Sequence, residues 1–194
     1  MKYLIVGLTG LLLAGCATSG PDLSNDLARP QNSAPAIMVV KPFSDNPNVY
    51  ALSTQLEQNY TGTQVQVLRV GNEVKVTYPA DALFGVGGVN LTPNTQNALD
   101  PFVVAAKAYP DAKIRIDSFT DNSGLQASNV TRSEDRAQNV ARYLLDHGFV
   151  AGNITLKGYG GAYYVASNDT PEGRAQNRRI VLTISNIPLP QPVA

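Results

Sequence analysis

Between Ile114 and Leu156 the hydrophobic period changes twice. Ile114 and Ile116 alternate with Arg115 and Asp117, the period of a strand that buries one face. Ala137, Val140, Ala141, Leu144 and Leu145 then recur at helical spacing, and His147-Gly148 ends that pattern with a glycine where a helix C′ residue belongs. Ile154-Thr155-Leu156 returns to a short strand. A strand, an amphipathic helix and a second strand in close succession bury their apolar faces only by packing the helix on the sheet. All-α and all-β architectures are therefore excluded.

The flanking sequence supplies more of both layers. A helical stretch is expected around residues 50–59. Val65, Val67 and Arg69 alternate with Gln66, Leu68 and Val70, and Val74, Val76 and Tyr78 alternate in the next run, with Gly71-Asn72 between them as a two-residue hairpin turn. Thr92-Pro93 or Asp100-Pro101 opens a helix, because proline suits the first helical position behind a capping side chain. Pro101 within the apolar set Leu99, Phe102, Val103 and Ala106 favours the later start, or a kink. Thr170-Pro171-Glu172 caps another short helix, and Ile180, Leu182 and Ile184 alternate in a final strand. The expected fold class is α+β, a two-layer α/β sandwich.

The ends of the chain read differently. Met1-Lys2 and the apolar run over 3–13 form a short cleavable signal, too short for the ~20 residues of a membrane-spanning helix. It closes on Leu13-Ala14-Gly15-Cys16, with the chain's one cysteine directly after small residues, and resembles the lipobox of bacterial lipoproteins. That resemblance implies a signal peptide over 1–15 and a lipid-modified Cys16 as mature N-terminus. It also implies, with Ala17 rather than Asp following, an anchor on the periplasmic face of the outer membrane. Residues 16–48 are rich in Ser, Asn, Asp and Pro and read as a tether. Within it, Ile37-Met38-Val39-Val40 is either a short strand or a segment that orders on a protein partner. The folded domain is expected over 49–186, followed by a Pro-rich tail over 187–194.

Composition removes several functions. Fifteen Lys and Arg balance fifteen Asp and Glu, so no electrostatic case exists for nucleic acid. One His and one Cys leave neither a nucleophile-base dyad of the usual kind nor a multi-cysteine or zinc site, so no enzyme, metal or cofactor is expected. Gly158-Tyr159-Gly160-Gly161 lacks both the dinucleotide-binding spacing and a phosphate-loop lysine, and reads as a turn leaving a strand.

The segment 118–124, Ser-Phe-Thr-Asp-Asn-Ser-Gly, is followed by Asn129, Ser133, Arg136 and Ala137. Together with Phe84, the pair Gly158 and Gly160, and Asn177-Arg178-Arg179-Ile180, it resembles the outer-membrane-protein-A-like, peptidoglycan-associated domain over roughly 65–185. The chain departs from the common family pattern at Ser118-Phe119, where Gly-His is usual, at Arg132 for Leu, and at Gly85 for Asp, positions that bear on pocket shape and affinity. The resemblance implies that Asp121 and Arg136 hold the diaminopimelate of the peptidoglycan stem, supported by Asn129, with Thr120 beside them. Arg178, at the start of the last strand, is a further candidate, as is Arg179. The chemistry fits: the far stereocentre of diaminopimelate carries an ammonium and a carboxylate, which a carboxylate and a planar guanidinium complement. An ordinary Asp121–Arg136 salt bridge is the competing reading, and an accessible pocket is expected for both side chains. The function implied is noncovalent attachment of outer membrane to cell wall; the alternative is a subunit of an envelope-spanning machine such as a secretion system.

Overall fold

A computed structural model describes residues 46–190. The signal, Cys16, the tether up to residue 45 and the last residues of the tail lie outside the described residues. Helix α1 (Pro47–Asn59) starts earlier than its apolar pattern suggested, because Asn46 caps it by accepting from the Asn48 amide at 3.0 Å and Pro47 takes the first helical position. The Asn46 side chain also donates to the Ile187 carbonyl at 2.7 Å, and Asn48 donates to that of Pro188 at 2.8 Å. These contacts tie residues assigned by composition to the tether and the tail onto the folded unit.

Strands β1 (Gln66–Val70) and β2 (Glu73–Pro79) form the hairpin around Gly71-Asn72. A five-residue helix, α2 (Ala80–Phe84), follows at once and was not anticipated, being too short to show a helical period. Helix α3 (Thr95–Ala106) starts between the two expected positions and carries Pro101 inside it. The ring leaves the Asn97 carbonyl without its helical donor, and Asn97 is exposed to water. Strand β3 (Lys113–Ser118), the long helix α4 (Gln126–Asp146) and β4 (Ile154–Gly158) make the strand-helix-strand unit. Gly148 past the end of α4 has φ 88°, as its C′ position requires. Helix α5 (Pro171–Asn177) is capped by Thr170 accepting from the Gly173 amide, and β5 (Arg179–Ser185) closes the chain's sheet.

The sheet order is β1-β2-β5-β3-β4, with the last pair parallel and the others antiparallel. Val74, Val76 and Tyr78, Ile180, Leu182 and Ile184, and Ile114 and Ile116 face the helices, and share one core with Leu52 and Leu56 of α1, Leu99 and Phe102 of α3, and Val140 and Leu144 of α4. Placing β5 between β2 and β3 brings the end of β3 beside the start of β5.

Two glycines hold α4 against the end of β4. A Cβ on Gly158 would lie 2.4 Å from the Glu134 amide nitrogen, and one on Gly160 would lie 2.9 Å from that of Val130, separations a side chain does not tolerate. The Gly160 amide donates to Ser133 Oγ at 2.9 Å, and that hydroxyl donates to the Val130 carbonyl at 2.8 Å. This close approach fixes the position of Asn129 and Arg136 relative to the loop after β3.

Candidate ligand-binding site

The site is built where β3 and β5 end and start side by side. Beyond Ser118, the Phe119 amide donates to the Arg179 carbonyl at 2.9 Å and the Thr120 amide to that of Gly160 at 2.9 Å, so the chain leaves the sheet along a set path. Thr120 is buried and its hydroxyl donates to the Asp121 carbonyl at 2.9 Å. Asp121 then folds its carboxylate back, with Oδ1 accepting from the Ser123 amide at 2.9 Å, the Asx turn that Asp-Asn-Ser-Gly favours. Asn129, on the first turn of α4, braces this loop: its Nδ2 donates to the Ser123 carbonyl at 3.0 Å, and its Oδ1 accepts from Arg132 Nη1 at 3.2 Å.

Asp121 Oδ2 accepts from Arg178 Nη1 at 2.7 Å. Arg178 is itself clamped from the other side by Asp81 on α2, through Nε at 3.1 Å to both carboxylate oxygens and Nη2 to Oδ2 at 2.6 Å. Burial by itself would raise the Asp121 carboxyl, but Arg178 and the Ser123 contacts outweigh it and hold the group below the usual carboxylate range. The two aspartates conversely push the Arg178 guanidinium further toward its charged form, against its partial burial.

Arg136 behaves otherwise. It is 1% exposed, its Nε donates to the Gly88 carbonyl at 2.7 Å, and its guanidinium lies 5.3 Å from the centre of the Phe84 ring. Its Nη1 and Nη2 atoms are buried and meet no hydrogen-bond acceptor among the described residues. Burial, with Arg132 and Arg178 nearby, lowers its proton affinity despite Asp81 and Asp121. One helical turn away, Asn139 donates to the Val89 carbonyl at 2.9 Å, so the segment after α2 is pinned to α4 at two successive carbonyls.

Asp121, Thr120, Asn129 and Arg178 thus share one connected network, and Arg136 stands at its edge with no direct bond to Asp121. The ordinary Asp121–Arg136 salt bridge is absent among the described residues; Arg178 takes that place. The expectation of an accessible pocket holds for neither side chain: Phe84 and the residues that follow it cover the Arg136 guanidinium, and Asp121 is buried as well, 6% exposed. Asp81 escaped sequence reasoning, since α2 shows no periodicity; an acidic residue just behind Pro79-Ala80, where a first helical turn favours negative charge, was the available signal. Arg179 turns away from the site: its guanidinium carbon lies 3.8 Å over the centre of the Phe119 ring and its Nη2 donates to the Tyr163 carbonyl at 2.9 Å.

The comparisons with known proteins agree with this architecture. Residues 83–178 match the OmpA family, and the chain carries a domain of that family. Among individual relatives, it is 34% identical over 131 residues to the probable lipoprotein YiaD of Escherichia coli K12, covering 68% of this chain and 60% of that protein. It is 39% identical over 102 residues to the peptidoglycan-binding protein ArfA of Mycobacterium tuberculosis H37Rv, covering 53% of this chain and 31% of that one. The matched region thus spans under two thirds of the length of either relative. Among solved structures, the cell wall anchor of the T6SS from Pseudomonas aeruginosa superposes with a TM-score of 0.64 at 28% identity, covering 69% of this chain and 96% of that one.

Proposed function

We propose that this protein is a non-catalytic lipoprotein of the outer membrane that grips peptidoglycan noncovalently through the diaminopimelate of the peptide stem. The observation that carries the reading is the Arg136 guanidinium, almost wholly buried, with two nitrogens that no acceptor among the described residues satisfies. Leaving such donors unmatched costs on the order of 1–3 kcal/mol or more, and an arriving carboxylate removes that cost. Asp121 supplies the complementary charge. Its two oxygens offer about four acceptor positions, of which Ser123 and Arg178 occupy two, so acceptor capacity remains for an ammonium. Thr120 and Asn129 hold the loop in shape, and Arg178 orients the Asp121 carboxylate. The likeness to ArfA, a peptidoglycan-binding protein, supports the same ligand.

Cys16 carries the lipid in this reading, on the periplasmic face of the outer membrane, with 16–48 as the tether. An alkyne fatty acid fed to cells is expected to label the protein, and to leave a Cys16→Ala variant unlabelled; label on the variant would place the lipid elsewhere. The likeness to the cell wall anchor of the T6SS favours a second reading, in which the same domain positions an envelope machine at the wall. Purified sacculi separate these readings from failure of both. The full chain in detergent is expected to co-sediment with diaminopimelate-type sacculi, and crosslinking in native membranes then decides whether a protein complex comes with it. A chain that stays in the supernatant removes the wall from either account.

A further inference from the structure

Arg132 stands one helical turn before Arg136 on α4, where side chains four residues apart are neighbours. Like charges at this spacing repel, at a cost of about 0.2–0.5 kcal/mol on an exposed helix and more beside a buried group. Neither arginine has a carboxylate within ion-pair distance among the described residues, while Arg178 takes both neighbouring aspartates, Asp81 and Asp121. Arg178 thus holds both aspartates of the site, and the carboxylate nearest Arg132 in its own helix, Asp135 three residues on, is outside ion-pair distance among the described residues. Arg132 is also held in place: it is half-buried, and its Nη1 donates to Asn129 Oδ1, the same side chain whose Nδ2 braces the Asp121 loop.

Resting on the peptidoglycan reading above, we propose that Arg132 binds a second carboxylate of the stem peptide. The group committed to is the α-carboxylate of the D-glutamate that precedes diaminopimelate, left free because that glutamate is joined through its γ-carboxyl. Arg136 and Asp121 take the zwitterionic end of diaminopimelate, and Arg132 takes the charge one residue closer to the glycan. A leucine at this position, usual in domains the sequence resembles, offers nothing to that group. Arg132 is a specificity-determining residue for stems whose glutamate is not amidated.

The test titrates the full chain in detergent with two synthetic stem tetrapeptides, alike except that the D-glutamate α-carboxylate is free in one and amidated in the other. Wild type is expected to bind the free acid about tenfold more tightly, the size of one charge-assisted contact at a partly exposed site. Arg132→Gln should bring that ratio to about one with little change for the amidated peptide, whereas Arg132→Leu should bring it to about one while weakening both peptides by a common factor, because it also removes the bond to Asn129 Oδ1. The Gln variant matters because it keeps a donor for Asn129 Oδ1. If Arg132 only braces Asn129, Gln restores wild-type binding of both peptides and the proposal is overturned. A wild-type chain that binds both peptides equally also overturns it and leaves the diaminopimelate site standing, whereas a chain that binds neither overturns the peptidoglycan reading itself.

Discussion

An Arg136→Met variant is expected to lose binding to diaminopimelate-type stem peptide by about 100-fold or more and, at the same time, to melt at a higher temperature than wild type. The binding loss follows from removing the buried guanidinium at the site, whose Nη atoms are unpaired among the described residues. The gain in stability has the same origin. A buried charge without a partner is costly, and an apolar side chain of similar length in its place is often stabilising by about 1–4 kcal/mol. Phe84 already lies against the guanidinium and would pack against the methionine thioether. Against this stands the lost bond from Nε to the Gly88 carbonyl, about 1 kcal/mol. The net gain of about 0–3 kcal/mol corresponds to a rise of up to roughly 12 °C, at about 2–4 °C per kcal/mol for a domain of this size. Calorimetric titration and a thermal scan on the same samples check both halves. Undiminished affinity would remove Arg136 from the site. A lower melting temperature would show that its hold on the segment after α2 outweighs the burial of its charge.

How far the sequence foretold this arrangement depends on the length scale of each signal. The hairpin at Gly71-Asn72, the amphipathic repeat in α4 and the alternation in β5 each repeat over several residues, and each forms where the pattern lies. Helix α2 is five residues long and offers no repeat to read, so Asp81, which clamps Arg178, was invisible with it. Pro101 misled on the start of α3 because local preference was weighed without the tertiary contact that overrides it: the Thr95 hydroxyl donates to the Leu83 carbonyl at 2.8 Å and fixes the first turn earlier. The sequence pointed to Thr120, Asp121, Asn129 and Arg178, which the fold brings into one network, but not to their pairing. Asp121 and Arg136 lie on consecutive elements and suggested each other, whereas the guanidinium bonded to Asp121 comes from Arg178, brought in by the placement of β5 next to β3. Strand order is a long-range property, and no local pattern encodes it.

Lysine-type stem peptide is expected to bind about 30- to 1,000-fold more weakly than its diaminopimelate-type counterpart, a difference of ~2 to 4 kcal/mol. Lysine lacks only the terminal carboxylate, so the loss isolates what Arg136 contributes. Amidating that carboxylate should weaken binding less, because the amide oxygen still accepts a hydrogen bond from a guanidinium nitrogen. Asp121 gives the complementary result. Both peptides keep the terminal ammonium, so Asp121→Asn should weaken the two by the same factor and preserve their ratio, where Arg136→Met should collapse the ratio toward one. The pH dependence follows from the same contacts. The Asp121 carboxyl is held below its usual value of about 3.9, so its charge is fully present above that pH and is lost only as pH falls through the lower folded-state value. Affinity for the diaminopimelate peptide should therefore stay level from pH 7 to about 5. Titrations of wild type and both variants with the two peptides decide the assignment. Equal affinity of wild type for both peptides would eliminate Arg136 as the reader of the terminal carboxylate, and a ratio that changes in Asp121→Asn would show that the two charges are not read by separate groups.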